Sequence, residues 1–183
     1  MASPLTDALV VDIRREFPRF RIIRKDESWF QRAIDALLRV VTFGAQRSYL
    51  SGYQTTIGQR VYVTSDWDEL PDETRYVTLR HEREHLRQFR RYTLPGMAFL
   101  YLLVPLPLGL AWFRAYFEMQ GYAETIRASA EVYGAAYVTR PVFREHVVSQ
   151  FVTGAYGWMW PFRGRIERWY DAVAASVLKE PTA

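Results

Sequence analysis

Among the side chains able to do chemistry, three stand together in the run TLRHEREHLRQF, Thr78 to Phe89: His81, Glu82 and His85. In a helix the two histidines lie four residues apart, so both rings leave one face at a separation that a single tetrahedral metal ion such as zinc can bridge. Glu82 lies roughly 100° round the helix. From there its carboxylate reaches a water beside such an ion without becoming a ligand, which is the position a general base needs. Two bland alternatives compete: histidines hydrogen-bonded in a core, or a solvated arginine-rich helix. The helical wheel argues against the second. Thr74, Thr78, Leu86, Phe89 and Tyr92 fall beside the histidines, and Arg80, Arg83, Glu84, Arg87 and Arg91 collect on the opposite side. Against the first, two buried imidazoles flanking a buried carboxylate are costly to satisfy in low dielectric without a metal.

The rest of the composition narrows the chemistry. With no cysteine, disulfides, thiolate metal sites and cysteine nucleophiles are excluded, and any metal must be held by His, Asp or Glu. Of the 3 histidines only His146 lies outside the run. A chain of 183 residues, 49% hydrophobic and 24% charged, suits one globular domain over residues 1–183 with a real core. The net charge of +4 comes almost wholly from arginine, Lys25 and Lys179 being the only lysines. These cations cluster between Arg14 and Lys25 and along the motif helix. No nucleic-acid-binding motif accompanies them, so a solvated basic surface is expected rather than a specific nucleic-acid partner. The opening MASPLTDALVVDIRREF lacks a basic region followed by an apolar run of signal-peptide length, and a cytoplasmic location is expected.

The elements that must position these residues can be read from periodicity. SWFQRAIDALLRVV, 28–41, spaces Phe30, Ile34, Leu37, Leu38 and Val41 as a helix, with Ser28 or Asp26 as a cap. RSYLSGYQTTIGQRVYVTSDW reads as a pair of short strands, the better one Gln59 to Thr64. Pro71, Asp72 and Glu73 suit the first turn of the motif helix, which should run to Tyr92 and stop before Pro95 and Gly96. Helices are further expected over 114–138, from Pro141 to about Val152, and from Pro161 to Leu178. Leu94 to Phe113 contains no charged residue, but Pro95, Pro105 and Pro107 with Gly96 and Gly109 break it into arms too short to cross a bilayer as helices. The class expected is α+β, mainly helical, with a small sheet or hairpin next to the motif helix.

His81-Glu82-x-x-His85 resembles the motif of the zincin metallopeptidases. The metzincin branch would continue with glycine and histidine where Gln88 and Arg91 stand, which excludes it. The gluzincin branch draws a zinc glutamate from a later helix, for which the candidates are Glu118, Glu124 and Glu131. Glu124 and Glu131 fall with Gln120 and Arg127 on the far side from the apolar stripe, and Glu124 is expected to be a solvated carboxylate near Arg127, with a supporting place around the metal ligands as the alternative. Glu118 sits at the stripe's margin beside Gly121, Tyr122, Thr125 and Ser129, small enough overall for two helices to approach closely. Glu118-Met-Gln-Gly-Tyr is also similar to the gluzincin E-x-x-A-x signature. Tyr122 departs from it where an acidic residue is often found, as Arg83 and Glu84 depart within the motif. TTIGQRVYV resembles the zincin edge strand that pairs with an extended peptide, so the resemblance spans Thr55 to Tyr137.

The resemblance implies a minimal zincin-like fold, zinc held by His81, His85 and Glu118, and a peptide or protein substrate hydrolysed with Glu82 as general base. His146, Tyr122, Tyr133 and Tyr137 are open candidates for the oxyanion donor, His146 being expected instead to cap a satisfied helix face. A zincin-fold module that binds zinc without catalysis is the competing class. Because 94–113 lies between His85 and Glu118, a single membrane crossing would part the ligands, so the segment must return. A packed or partly exposed hairpin is expected, with a tip dipping into a membrane face as the alternative.

Overall fold

Pro4 opens the first helix, α1 (Pro4–Glu16), where its missing N–H is no loss, and Asp7 and the pair Arg14 and Arg15 sit at the ends that their charges favour. The computed structural model describes residues 3–29, 31–32, 54–100, 111–153, 159 and 162–179. The helix expected over 28–41 falls largely outside them. Its first turn is described, and there Ser28 Oγ accepts from the Gln31 N–H at 3.4 Å, as a cap should. The tip VPLPLG also lies outside the described residues.

Strands β1 (Arg21–Arg24), β2 (Thr55–Ile57) and β3 (Arg60–Val63) form a mixed sheet in the order β1-β3-β2. β2 and β3 make the expected hairpin, turned at Gly58, whose φ of +62° carries no Cβ penalty. β1 joins β3 in parallel, with Arg21 opposite Arg60 and Arg24 opposite Val63. A 3₁₀ turn, Trp67–Glu69, leads into the motif helix α2 (Asp72–Ala98). Then come α3 (Trp112–Tyr133), a single turn α4 (Ala135–Val138), α5 (Pro141–Val152) and α6 (Arg163–Lys179). The protein is thus mainly helical, with one small sheet beside α2.

Element ends depart from the sequence reading for local reasons. α2 breaks at Thr93 (φ 59°, ψ 167°), then resumes as far as Ala98 with Pro95 in the first turn of the new segment, where proline is tolerated. α3 stops at Tyr133 rather than running to 138, because Gly134 turns to φ +85°. Of the apolar segment's described arms, Met97 and Ala111 are buried, while Leu94, Phe99, Trp112 and Phe113 are exposed. Among the described residues no helix is long and apolar enough to cross a membrane.

One apolar cluster packs on α2 and a second joins α3 to the helices that follow it. Leu9, Ile13 and Phe17 of α1 pack with Val61 and Val63 of β3 and with Leu79 and Leu86 of α2. Ile126 and Ala130 of α3 pack with Val138, Val147, Phe151, Ile166 and Tyr170. The arginine face of α2 is not the solvated back that the wheel suggested. Glu16 of α1 accepts from Arg83 at 2.8 Å and from Arg87 at 3.0 Å, and Asp72 reaches the other end of α1 to accept from the Leu5 and Thr6 N–H groups. α1 is therefore fastened to α2 at both ends, and these contacts fix where the motif residues can face.

Candidate metal centre

α2 and α3 run antiparallel, and the seam between them is polar. Tyr76 and Arg80 meet Glu131 at one end, and Tyr92 meets Phe117 at the other, their ring centroids 5.3 Å apart. His81, His85 and Glu118 come together in the middle. The two Nε2 atoms are 3.1 Å apart, and the Glu118 carboxylate oxygens lie 3.5 Å from His81 Nε2 and 3.6 Å from His85 Nε2. These separations lie close to the edge of about 3.3 Å expected around a tetrahedral ion with bonds of roughly 2.0–2.1 Å. The three donors, all within 4.8 Å of one another, form a group that could hold a metal ion.

Close approach depends on Gly121, one turn after Glu118 on the same face. A Cβ there would stand 2.7 Å from His81 Nε2, so only glycine leaves room for the ring. The other ring nitrogens settle the tautomers. Thr125 Oγ1 donates to the Gly121 carbonyl and so accepts from His81 Nδ1–H at 3.1 Å. The Gln88 amide donates to the Phe117 carbonyl and to Gln120, leaving its oxygen to accept from His85 Nδ1–H at 2.9 Å. Both Nε2 atoms then turn lone pairs toward each other and toward a carboxylate only 3% exposed. That arrangement calls for positive charge between them, either a proton or a metal. Burial favours the neutral ring, but the hydrogen bond and charge of Glu118, reinforced by Glu82 and Glu84, raise the His81 pKa above its ordinary value.

Glu82 is buried apart from the triad and faces the sheet, where Thr56 Oγ1 donates to its Oε2 at 2.6 Å. Glu124 is not the solvated carboxylate expected. It sits half-buried, 2.8 Å from Arg80 and 2.7 Å from Arg127, and although burial would raise its pKa, these two cations hold it low. It is a strut between the helices. Among the oxyanion candidates, the Tyr122 ring packs edge-on against His81 with centroids 4.8 Å apart. Tyr133 and Tyr137 pack on each other and toward Phe143, and His146 is exposed on α5.

The sequence reading missed Gln88, Thr125 and Thr56 as partners of the site. Gln88, three residues after His85 in a helix, carried a usable signal. So did Thr125, one helical repeat beyond Glu118. Nothing in the strand pattern singled out Thr56. No family model matches the chain, and no curated protein or solved structure matches it either.

Proposed function

We propose that the chain is a zinc-dependent metallopeptidase of zincin type, with His81, His85 and Glu118 holding the ion and Glu82 acting as general base. The observation that carries this reading is the convergence of two imidazole Nε2 atoms on the buried Glu118 carboxylate, with a second carboxylate, Glu82 of the histidines' own helix, bonded to Thr56. Two neutral imidazoles and one carboxylate are a donor set that zinc accepts while keeping a fourth position open. Zinc bound there would supply Lewis acidity and let a water lose its proton near neutral pH. Glu82 would hold a proton on the oxygen not engaged by Thr56 and pass it to the leaving amine nitrogen. β2, which carries Thr56, is an edge strand of the described sheet, and an extended peptide can pair with such an edge through its main chain.

A non-catalytic zinc module is the second reading, favoured by how closed the group is. The His81 and His85 side chains are only 12% and 11% exposed. Two clefts among the described residues, about 500 and 600 Å³, are lined by neither His81, Glu82, His85 nor Glu118. Metal content and cleavage of a mixed peptide library separate the two. On the peptidase reading Glu82→Gln keeps its zinc and loses cleavage, and Glu118→Ala loses the zinc. Full zinc retention in Glu118→Ala overturns the ligand assignment, whereas a zinc-loaded wild type that cuts nothing leaves the module.

A further inference from the structure

We infer that Thr56 is a positioning residue for the metal centre: its hydroxyl holds the Glu82 carboxylate off the ion and so keeps the fourth coordination place open. The inference rests on the ligand assignment proposed above and not on catalysis. Glu82 directly follows His81 and stands three residues before His85, and side chains three apart are neighbours on a helix. A carboxylate in such a place is itself a zinc ligand of ordinary type. Yet among the described residues the group that could hold a metal is His81, His85 and Glu118, without Glu82. The Glu82 Oε2 instead accepts from Thr56 Oγ1 at 2.6 Å.

Thr56 is the buried residue of β2, with Thr55 and Ile57 on either side of it partly exposed. Across the hairpin it stands opposite Val61, which packs with Leu79 and Leu86 of α2. Valine would suit that apolar face and a strand equally well, and a hydroxyl buried there without a partner would be costly. The O–H···O distance is that of a charge-assisted bond, and burial of both partners strengthens it. The bond ties Glu82 to the sheet, whereas the three proposed ligands stand on α2 and α3. Movement of Glu82 toward the ion would strand the hydroxyl, so the bond opposes that movement. A hydroxyl that did no more than satisfy a buried carboxylate would, once removed, change stability alone. One that withholds a ligand changes how the metal is held.

Cobalt(II) in place of zinc reports the number of ligands through its visible absorption, and competition with a chelator reports affinity. Thr56→Val is expected to bind zinc about tenfold more tightly, the scale on which residues outside the ligand set act, and to weaken the cobalt bands as Glu82 joins the set. Thr56→Ser should keep the wild-type spectrum, and so should Thr56→Val combined with Glu82→Gln, where no carboxylate remains to move. Glu82→Gln alone should keep it as well, a result that does not depend on how well the valine variant folds. A Thr56→Val protein with the wild-type spectrum and affinity overturns the proposal. So does a wild-type spectrum that Glu82→Gln alters, which would make Glu82 a ligand already. Wild-type protein that takes up neither zinc nor cobalt overturns the ligand assignment, and this inference falls with it.

Discussion

Gln88 and Thr125 hold the two imidazoles with neutral oxygens, so the rings are oriented without the added negative charge that a carboxylate would bring to their far side. Such partners fix the tautomer and the aim of the ligand nitrogen. Thr125→Val keeps the shape and removes the acceptor of His81 Nδ1–H. Metal affinity, read by competition with a chelator, is expected to fall about 10–100-fold. Gly121→Ala makes a sharper test because two properties should part company. The new Cβ meets the far end of the movable His81 ring rather than backbone, so the fold accommodates it, and alanine favours a helix interior over glycine by about 1 kcal/mol. The metal-free variant is therefore expected to melt no lower than wild type while binding metal at least about tenfold more weakly. That Glu118 joins the two histidines was legible from the motif resemblance, which asks for a glutamate on a later helix, together with helix periodicity, which separates it from Glu124 and Glu131. The Thr56 contact was not, because it joins residues 26 apart through a strand whose face no local pattern declares.

At the scale of elements, α1 works as a clamp on the back of the motif helix. Burial would raise the Glu16 pKa, but hydrogen bonds and charge from Arg87 and Arg83 outweigh it and bring it from 4.5 down to about 2. The folded value lies below the unfolded one. The resulting stability is thus complete above about pH 4.5 and is lost as pH falls from there toward 2. Glu16→Gln is expected to lower unfolding free energy at pH 7 by roughly 1–3 kcal/mol and to flatten its slope through that acid window, as urea titrations at stepped pH would record. Neither α1 nor β1 was read from the sequence. The arginines around them resemble a solvated basic run, and the partner that explains Arg83 lies 67 residues earlier in the chain. The β2–β3 hairpin was legible because Gly58 punctuates β-branched residues, and proline placement gave the start of α5.

For the whole molecule, metal and proton compete for one place. In the metal-free chain, protonated His81 beside Glu118 gives stability that is fully present below the ring's ordinary pKa of 6.5 and is lost as pH rises through its raised folded value. A metal needs the ring deprotonated. The gain in thermal midpoint on adding zinc is therefore expected to grow as pH rises above the ring's ordinary value of 6.5, and calorimetry at fixed zinc concentration checks the sign. The general class was legible from periodicity, as was the need for the apolar segment to return between His85 and Glu118. That its described arms stand partly exposed depends on packing, which periodicity does not carry. α2 is the element held on two sides, by α1 and the sheet through Leu79 and Leu86, and by α3 through the histidines and Gln88. Its backbone amides between Leu79 and Gln88 should therefore exchange with solvent deuterium only when the entire protein opens, as slowly as any in the molecule. The two histidines would then be spared the local backbone breathing of a loop-borne site, so the spacing of their ring nitrogens would persist until the protein unfolds.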